Sequence, residues 1–180
     1  LRLFLLRHAK SDWGNKDLED FDRPLSARGI DAAPLIGRYM REKGYVPGLI
    51  KCSSAQRTRE TLDFILPFFE RRPKILYSQT LYLAEPKALL EEIRQTPNTI
   101  EDLLVVGHNP GMGALAIALT ALPEDEAEER RKEQLADKFP TGCLAVLNFS
   151  GTSWQNVKPL SGRLVDYVRP RALTAKGDGA

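Results

Sequence analysis

The stretch LRLFLLRHAKS, residues 1–11, decides the fold. Its first six residues are apolar except Arg2, the pattern of a short strand buried on both faces. Arg7, His8, Ala9, Lys10 and Ser11 then follow with no turn residue between. A strand that runs straight into an arginine and a histidine carries both to the rim of a sheet. In open α/β sheets, ligands bind at that rim, beyond the carboxyl ends of the strands.

Working outward, the same arrangement recurs at DLLVV, residues 102–106, which is followed by GHNPG and so places His108 at a strand end too. Between these runs, Ser26 is expected to N-cap a helix running to Lys43, with Gly44 as its stop. Further strands are expected at 45–52, 74–77 and 143–149, with edge strands within 154–168. Ser53 or Ser54 is expected to cap a second helix through Phe69. Leu89, Leu90 and Ile93 lie at helical spacing within 86–95, and an apolar helix covers 112–122. Residues 13–24 are polar and rich in Asp, hence a loop. Residues 124–138 are dense in charge and read as a solvated helix. Strands alternating with helices predict an α/β three-layer sandwich: a mostly parallel central sheet with helices on both faces. A single domain is expected over 1–173, and a disordered tail over 174–180.

The chain has 180 residues, of which 42% are hydrophobic, enough for one core. A net charge of +2 shows no basic excess of the kind that marks nucleic-acid binders. No apolar run reaches membrane-spanning length. The opening run reads as a strand rather than a signal peptide, and the missing initiator Met points to trimming. Cys52 and Cys143 are isolated, without a CxxC, and read as small core residues. These features lead to the expectation of a monomer in a reducing cytoplasmic setting, with neither nucleic acid nor membrane as partner.

The chain has two histidines, and both end apolar strands. Arg57 falls in the first turn of the helix opened by SSAQRTRET. Two guanidiniums offer planar forks that match phosphate oxygens. A helix N-terminus at 54–57 adds a favourable dipole. A neutral imidazole is a competent nucleophile toward phosphorus, and a second, protonated one stabilises charge in the transition state. Neither a carboxylate cluster for magnesium nor a third histidine for zinc accompanies them, so no metal or cofactor is expected. The residues alone leave two readings open: phosphate chemistry, or histidines packed structurally against the sheet edge.

RHA (7–9), SSAQRTRET (53–61) and VGHNPG (106–111), in that order at strand ends, resemble the histidine phosphatase superfamily. RHAKSDW, DRPLSARG (22–29), GHNPG and KFPTGCLAVLNF (138–149) are similar to its SixA-type phosphohistidine phosphatase branch. The likeness runs from residue 1 to about 173. It implies a phosphoglycerate mutase-like fold and a phosphohistidine enzyme intermediate on His8. Arg7, Arg57 and His108 would form the phosphate pocket, with Ser11 and Asn109 as nearby substrate contacts. Lys10 reads as a surface lysine.

Two departures from the family pattern bear on substrate. The usual opening is Arg-His-Gly, and Ala9 stands here in place of the glycine. Relatives that act on alcohol phosphates carry an acid for the leaving group. In one branch it directly follows the second histidine, where this chain has Asn109. In another it lies in a loop after the third strand, where Glu85 reads rather as a helix-terminal residue. Asp12, Glu19 and Asp22, in the loop after RHA, remain as candidates. A missing acid suits the labile P–N bond of phosphohistidine, and a short chain without a large cap suits an open site for a phosphorylated side chain on a protein. The expected substrate is therefore a phosphohistidine protein, with a small phosphomonoester as the second reading. A mutase is disfavoured for want of a cap. A non-catalytic phosphate-binding protein is the third reading, and it would have no need of His8.

Overall fold

A computed structural model of the chain describes residues 1–174. Six strands, β1 (Arg2–Arg7), β2 (Leu49–Ser53), β3 (Lys74–Ser78), β4 (Asp102–Gly107), β5 (Leu144–Asn148) and β6 (Arg163–Val168), form one sheet in the order β3-β2-β4-β1-β5-β6. The four strands from β3 to β1 pair in parallel, while β5 runs antiparallel to both β1 and β6. The expected α/β sandwich is the fold observed.

β1 shows why. Leu3 and Leu5 enter one core with Leu89, Met112 and Leu115, whereas Phe4 and Leu6 enter another with Ile36, Met40, Leu62 and Ile65. A strand's side chains alternate between faces, so one unbroken apolar run feeds both cores. Helices α1 (Ala27–Glu42) and α2 (Gln56–Ile65) cover one face, and α3 (Pro86–Arg94) and α4 (Gly111–Leu119) the other. Truncating a central residue such as Leu5, fully buried, to Ala is expected to destabilise by about 2–5 kcal/mol.

The ends of α1 follow the sequence signals. The Ser26 hydroxyl accepts from Gly29 N–H, and Gly44 sits at φ +65°, a conformation glycine adopts without a Cβ penalty. Gly44 N–H to Arg41 O and Tyr45 N–H to Met40 O close the helix.

Other boundaries differ from expectation, each for a tertiary reason. The N-cap of α2 is Ala55 rather than Ser53 or Ser54, because the Ser53 hydroxyl is committed to His108. The helix also stops at Ile65, giving way to a 3-10 turn containing Pro67. α4 ends at Leu119, since Thr120 bridges to Gly162. Within 154–168 only β6 is a strand. Trp154–Asn156 is a 3-10 turn whose indole is fully buried and donates to Ile100 O at 2.6 Å. The charged segment forms α5 (Glu126–Asp137), but Glu128 and Leu135 are buried, and Arg163 on β6 pairs with Glu124, Asp125 and Glu128. The last described helix, α6 (Arg171–Thr174), takes in Thr174; the rest of the expected disordered tail lies outside the described residues. Among the described residues, no helix is long and apolar enough to cross a membrane.

Candidate active site

β1 and β4 lie side by side with Arg7 opposite Gly107, and Cys52 of β2 is opposite Val106. The carboxyl ends of these three strands therefore meet, at the point where the chain winds outward in two directions. Backbone bonds fix the first motif there. His8 N–H donates to Gly107 O at 3.1 Å, and Gly142 N–H is shared between Arg7 O and His8 O. Ala9 N–H donates to Thr61 Oγ1 at 2.9 Å. The Ala9 methyl group is buried beside Leu25 and Ala33, which gives this departure from Arg-His-Gly a packing role. A Cβ at Gly29 would overlap the Lys10 carbonyl, and one at Gly111 would overlap Ala84 O; both close approaches hold site loops in place.

The rings of His8 and His108 lie 5.2 Å apart. His8 Nδ1 is 2.7 Å from Ala9 O. A carbonyl only accepts, so Nδ1 carries the proton and Nε2 keeps its lone pair. Burial pushes the His8 pKa down to about 3, partly opposed by the Ala9 hydrogen bond and reinforced by His108, Arg57 and Arg7. At neutral pH the ring is uncharged and nucleophilic.

His108 Nε2 lies 2.7 Å from Ser53 Oγ, which also accepts from Ala55 N–H at 3.4 Å. Ser53 is fully buried and Nε2 is the one acceptor its hydroxyl proton meets among the described residues, so the hydroxyl donates to Nε2 and the ring proton sits on Nδ1. Burial, then Arg57 and Arg7, lower the His108 pKa to about 3, with Asp20 opposing. At neutral pH His108 is therefore the neutral imidazole, not the protonated form expected from sequence.

His108 Nδ1 and Arg7 Nε are two of three buried side-chain nitrogen or oxygen atoms left without a partner among the described residues. Both are donors here, so both call for an acceptor. A bound oxyanion is an acceptor of the kind they lack.

Arg7 Nη1 donates to Phe139 O at 2.9 Å. Arg57 is held by an unexpected residue: its Nη2 lies 2.9 Å from Asp20 Oδ2, and its Nη1 donates to Asp20 O. Tyr82 Oη donates to the same carboxylate at 2.6 Å, and Arg23 Nη1 pairs with Asp20 Oδ1 at 2.7 Å. Burial works to raise the Asp20 pKa, but Tyr82, Arg57 and Arg23 outweigh it and hold the carboxyl below its ordinary range. Tyr82 also stands edge-on to His108, and Phe21 packs edge-on against Tyr82. The loop after β1 thus reaches over the site. His8, Arg57 and His108 are only 6%, 3% and 2% exposed, so the reacting groups are recessed below the rim of the sheet.

Arg7, His8, Arg57 and His108 come together as the sequence places them. Ser11 and Asn109 are spent on internal contacts. Ser11 Oγ accepts from Arg23 Nη2 at 2.8 Å, and Asn109 bridges Phe139 O and Gly113 N–H. Asp12 Oδ1 accepts from Gly14 N–H, Glu19 precedes the 3-10 turn Asp20–Asp22, and Asp22 is exposed. Glu85 is the exposed N-cap of α3. None of these four carboxylates bonds a histidine or arginine of the pocket; Asp20 does. Sequence reasoning also missed Tyr82 and Ser53, although both stand at or just beyond strand ends, where the rim rule would have found them.

Residues 3–76 match the histidine phosphatase superfamily (branch 1). The chain is 37% identical over 166 residues to an uncharacterized protein of Mycobacterium tuberculosis, covering 92% of this chain and 100% of that one. A crystal structure of a candidate phosphohistidine phosphatase SixA from Agrobacterium tumefaciens aligns with a TM-score of 0.77 and 31% identity, over 94% of this chain and 97% of that one. The protein histidine phosphatase SixA complexed with tungstate aligns with a TM-score of 0.75 and 17% identity, over 96% and 99%, a likeness of fold alone.

Proposed function

The chain belongs to the histidine phosphatase superfamily, and on that premise we propose that it removes phosphoryl groups from phosphohistidine on proteins, through an intermediate on His8. The observation that carries the chemistry is the His8 ring itself: Nδ1–H is fixed on Ala9 O, and Nε2 is uncharged and unprotonated beside two guanidiniums.

In the first step the Nε2 lone pair attacks phosphorus. The bond from phosphorus to the substrate's imidazole nitrogen breaks, and its electron pair leaves with that ring, which carries a proton on its other nitrogen and so departs as neutral imidazole. Negative charge on the equatorial oxygens meets Arg7, Arg57 and the Nδ1–H of His108. In the second step water attacks phosphorus, the P–Nε2 bond breaks, and phosphate departs with His8 restored. Two displacements replace one harder one.

Asp20 is ionised and paired with three donors, which makes it a poor general acid. A P–N bond to an imidazole, a better leaving group than an alkoxide, has least need of one. Because His8 is only 6% exposed, the phosphoryl group has to arrive at the tip of a projecting group, as a phosphohistidine side chain presents it. The same recessed position also suits a second reading, a small phosphomonoester that enters whole.

Paired rates distinguish the two. With EDTA present at neutral pH, a phosphohistidine-bearing protein and p-nitrophenyl phosphate are compared for native protein and His8→Ala. Rapid release from phosphohistidine that depends on His8, with slow ester turnover, supports the proposal. Efficient ester turnover with slow phosphohistidine release rejects it in favour of the metabolite reading. Activity toward neither, in folded protein, would leave a phosphate-binding role.

A further inference from the structure

We propose that a basic cleft beside the active site docks an acidic segment of the phosphorylated protein substrate. This rests on the phosphoprotein reading above. The cleft has a volume of about 560 Å³, and Lys10, Arg28, Lys138, Arg169 and Arg171 line it against one carboxylate, Asp31. The whole chain carries a net charge of only +2, so more than its entire positive excess is gathered here. Arg169 is partly satisfied by Asp137 at 3.5 Å and by Gln134 O. Lys10, Arg28, Lys138 and Arg171 are exposed and form no ion pair among the described residues.

Position ties the cleft to the chemistry. Lys10 stands two residues beyond His8, a chain reach of about 7 Å. The segment 138–142 is a shared wall. On one side the Phe139 carbonyl holds Arg7, and Gly142 N–H holds the Arg7 and His8 carbonyls. On the other, Lys138, Pro140 and Thr141 line the cleft. A chain delivering a phosphorylated side chain to His8 can lay its flanking residues along this wall. Cations without partners favour carboxylates there, and Leu35, Pro140 and Pro170 add apolar contact that suits a peptide better than a nucleic-acid backbone.

The test uses two phosphohistidine peptides, one flanked by glutamates and one by glutamines, with phosphoramidate as a small substrate. Native protein should favour the glutamate peptide by about tenfold in kcat/KM, a preference that shrinks as salt rises. Arg28→Glu/Arg171→Glu should abolish the preference and leave phosphoramidate turnover unchanged. Should that variant lose phosphoramidate turnover as well, Arg28→Gln/Arg171→Gln decides by the same criterion. Equal turnover of the two peptides by native protein, or a preference that survives the charge changes, overturns the proposal. Unphosphorylated peptides, followed by fluorescence anisotropy, read the cleft without the chemistry. Selective glutamate-peptide binding with no phosphohistidine turnover keeps the cleft and rejects the substrate reading; turnover without selectivity does the reverse. A single-stranded DNA of equal charge that binds more tightly than the glutamate peptide also overturns the proposal.

Discussion

The carboxylate of Asp20 lies 2.9 Å from Arg57 Nη2, so one of the two guanidiniums a phosphoryl group needs is already paired with an anion. An incoming oxyanion has to share or displace that partner. Asp20→Asn keeps the side chain's shape and its ability to accept from Tyr82 while removing the competing charge. The Asp20 side chain is 44% exposed, so solvent screens the pair and the gain is modest. Tungstate, measured as a competitive inhibitor, should bind Asp20→Asn about two- to fivefold more tightly than native protein. Weaker binding would show that holding Arg57 and Tyr82 in place matters more than the competition.

Phosphorylated intermediate should form on His8 Nε2, because Nδ1–H is occupied by Ala9 O. Protein quenched in alkali, where the P–N bond survives, and analysed by ³¹P NMR should show the Nε2 isomer. His8→Ala should trap no label and lose at least about a thousandfold in rate, as loss of a nucleophile does. His108→Ala keeps the nucleophile but removes one donor to the equatorial oxygens, and should slow labelling by about a hundredfold or more. Label of undiminished yield on His8→Ala would place the nucleophile elsewhere.

Both imidazoles should resist protonation. Each is pushed from the ordinary histidine value of 6.5 down to about 3, in the first place by burial. Between those values the unfolded chain binds more protons than the folded one, so stability rises with pH there and is lost progressively as pH falls below about 6.5. With only two histidines in the chain, Cε1–H signals are assigned by comparison with His8→Ala. Neither should titrate between pH 8 and about 5. A midpoint near 6.5 for either ring would sink the neutral-nucleophile argument for that site.

The parts of this molecule that were legible from sequence are those whose signal is local. Apolar runs such as 1–6 and 102–106 need no partner to be recognised, and the strand-end rule then brings Arg7, His8, Arg57 and His108 to one rim. Asp20 was not legible, because four acidic residues crowd the segment DLEDFD and no periodicity fixes which of them faces Arg57. The sequence around Trp154 suggests an edge strand instead of a 3-10 turn for a related reason: the carbonyl that accepts its indole N–H belongs to Ile100, far away in the chain. Ser53 carries a good capping signal, yet its hydroxyl serves His108, just past the end of another strand.

That hydroxyl allows a separation of stability from chemistry. Ser53 is fully buried, and its Oγ is the partner of His108 Nε2 at 2.7 Å. In Ser53→Ala the ring nitrogen is left buried without a donor, which should destabilise by about 1–3 kcal/mol in urea unfolding. The ring also loses what fixes its proton on Nδ1, the atom that faces no protein partner. Phosphoenzyme formation should therefore slow while His8 remains fully able to be labelled. Ser53→Thr, which retains the hydroxyl, should recover most of the labelling rate if the added methyl group is accommodated. Two outcomes would refute this role: an unaltered labelling rate in Ser53→Ala, or a loss of rate that Ser53→Thr fails to reverse while its stability is native-like. Either would make Ser53 a packing residue and leave His108 positioned by Tyr82 and the backbone of β4 alone.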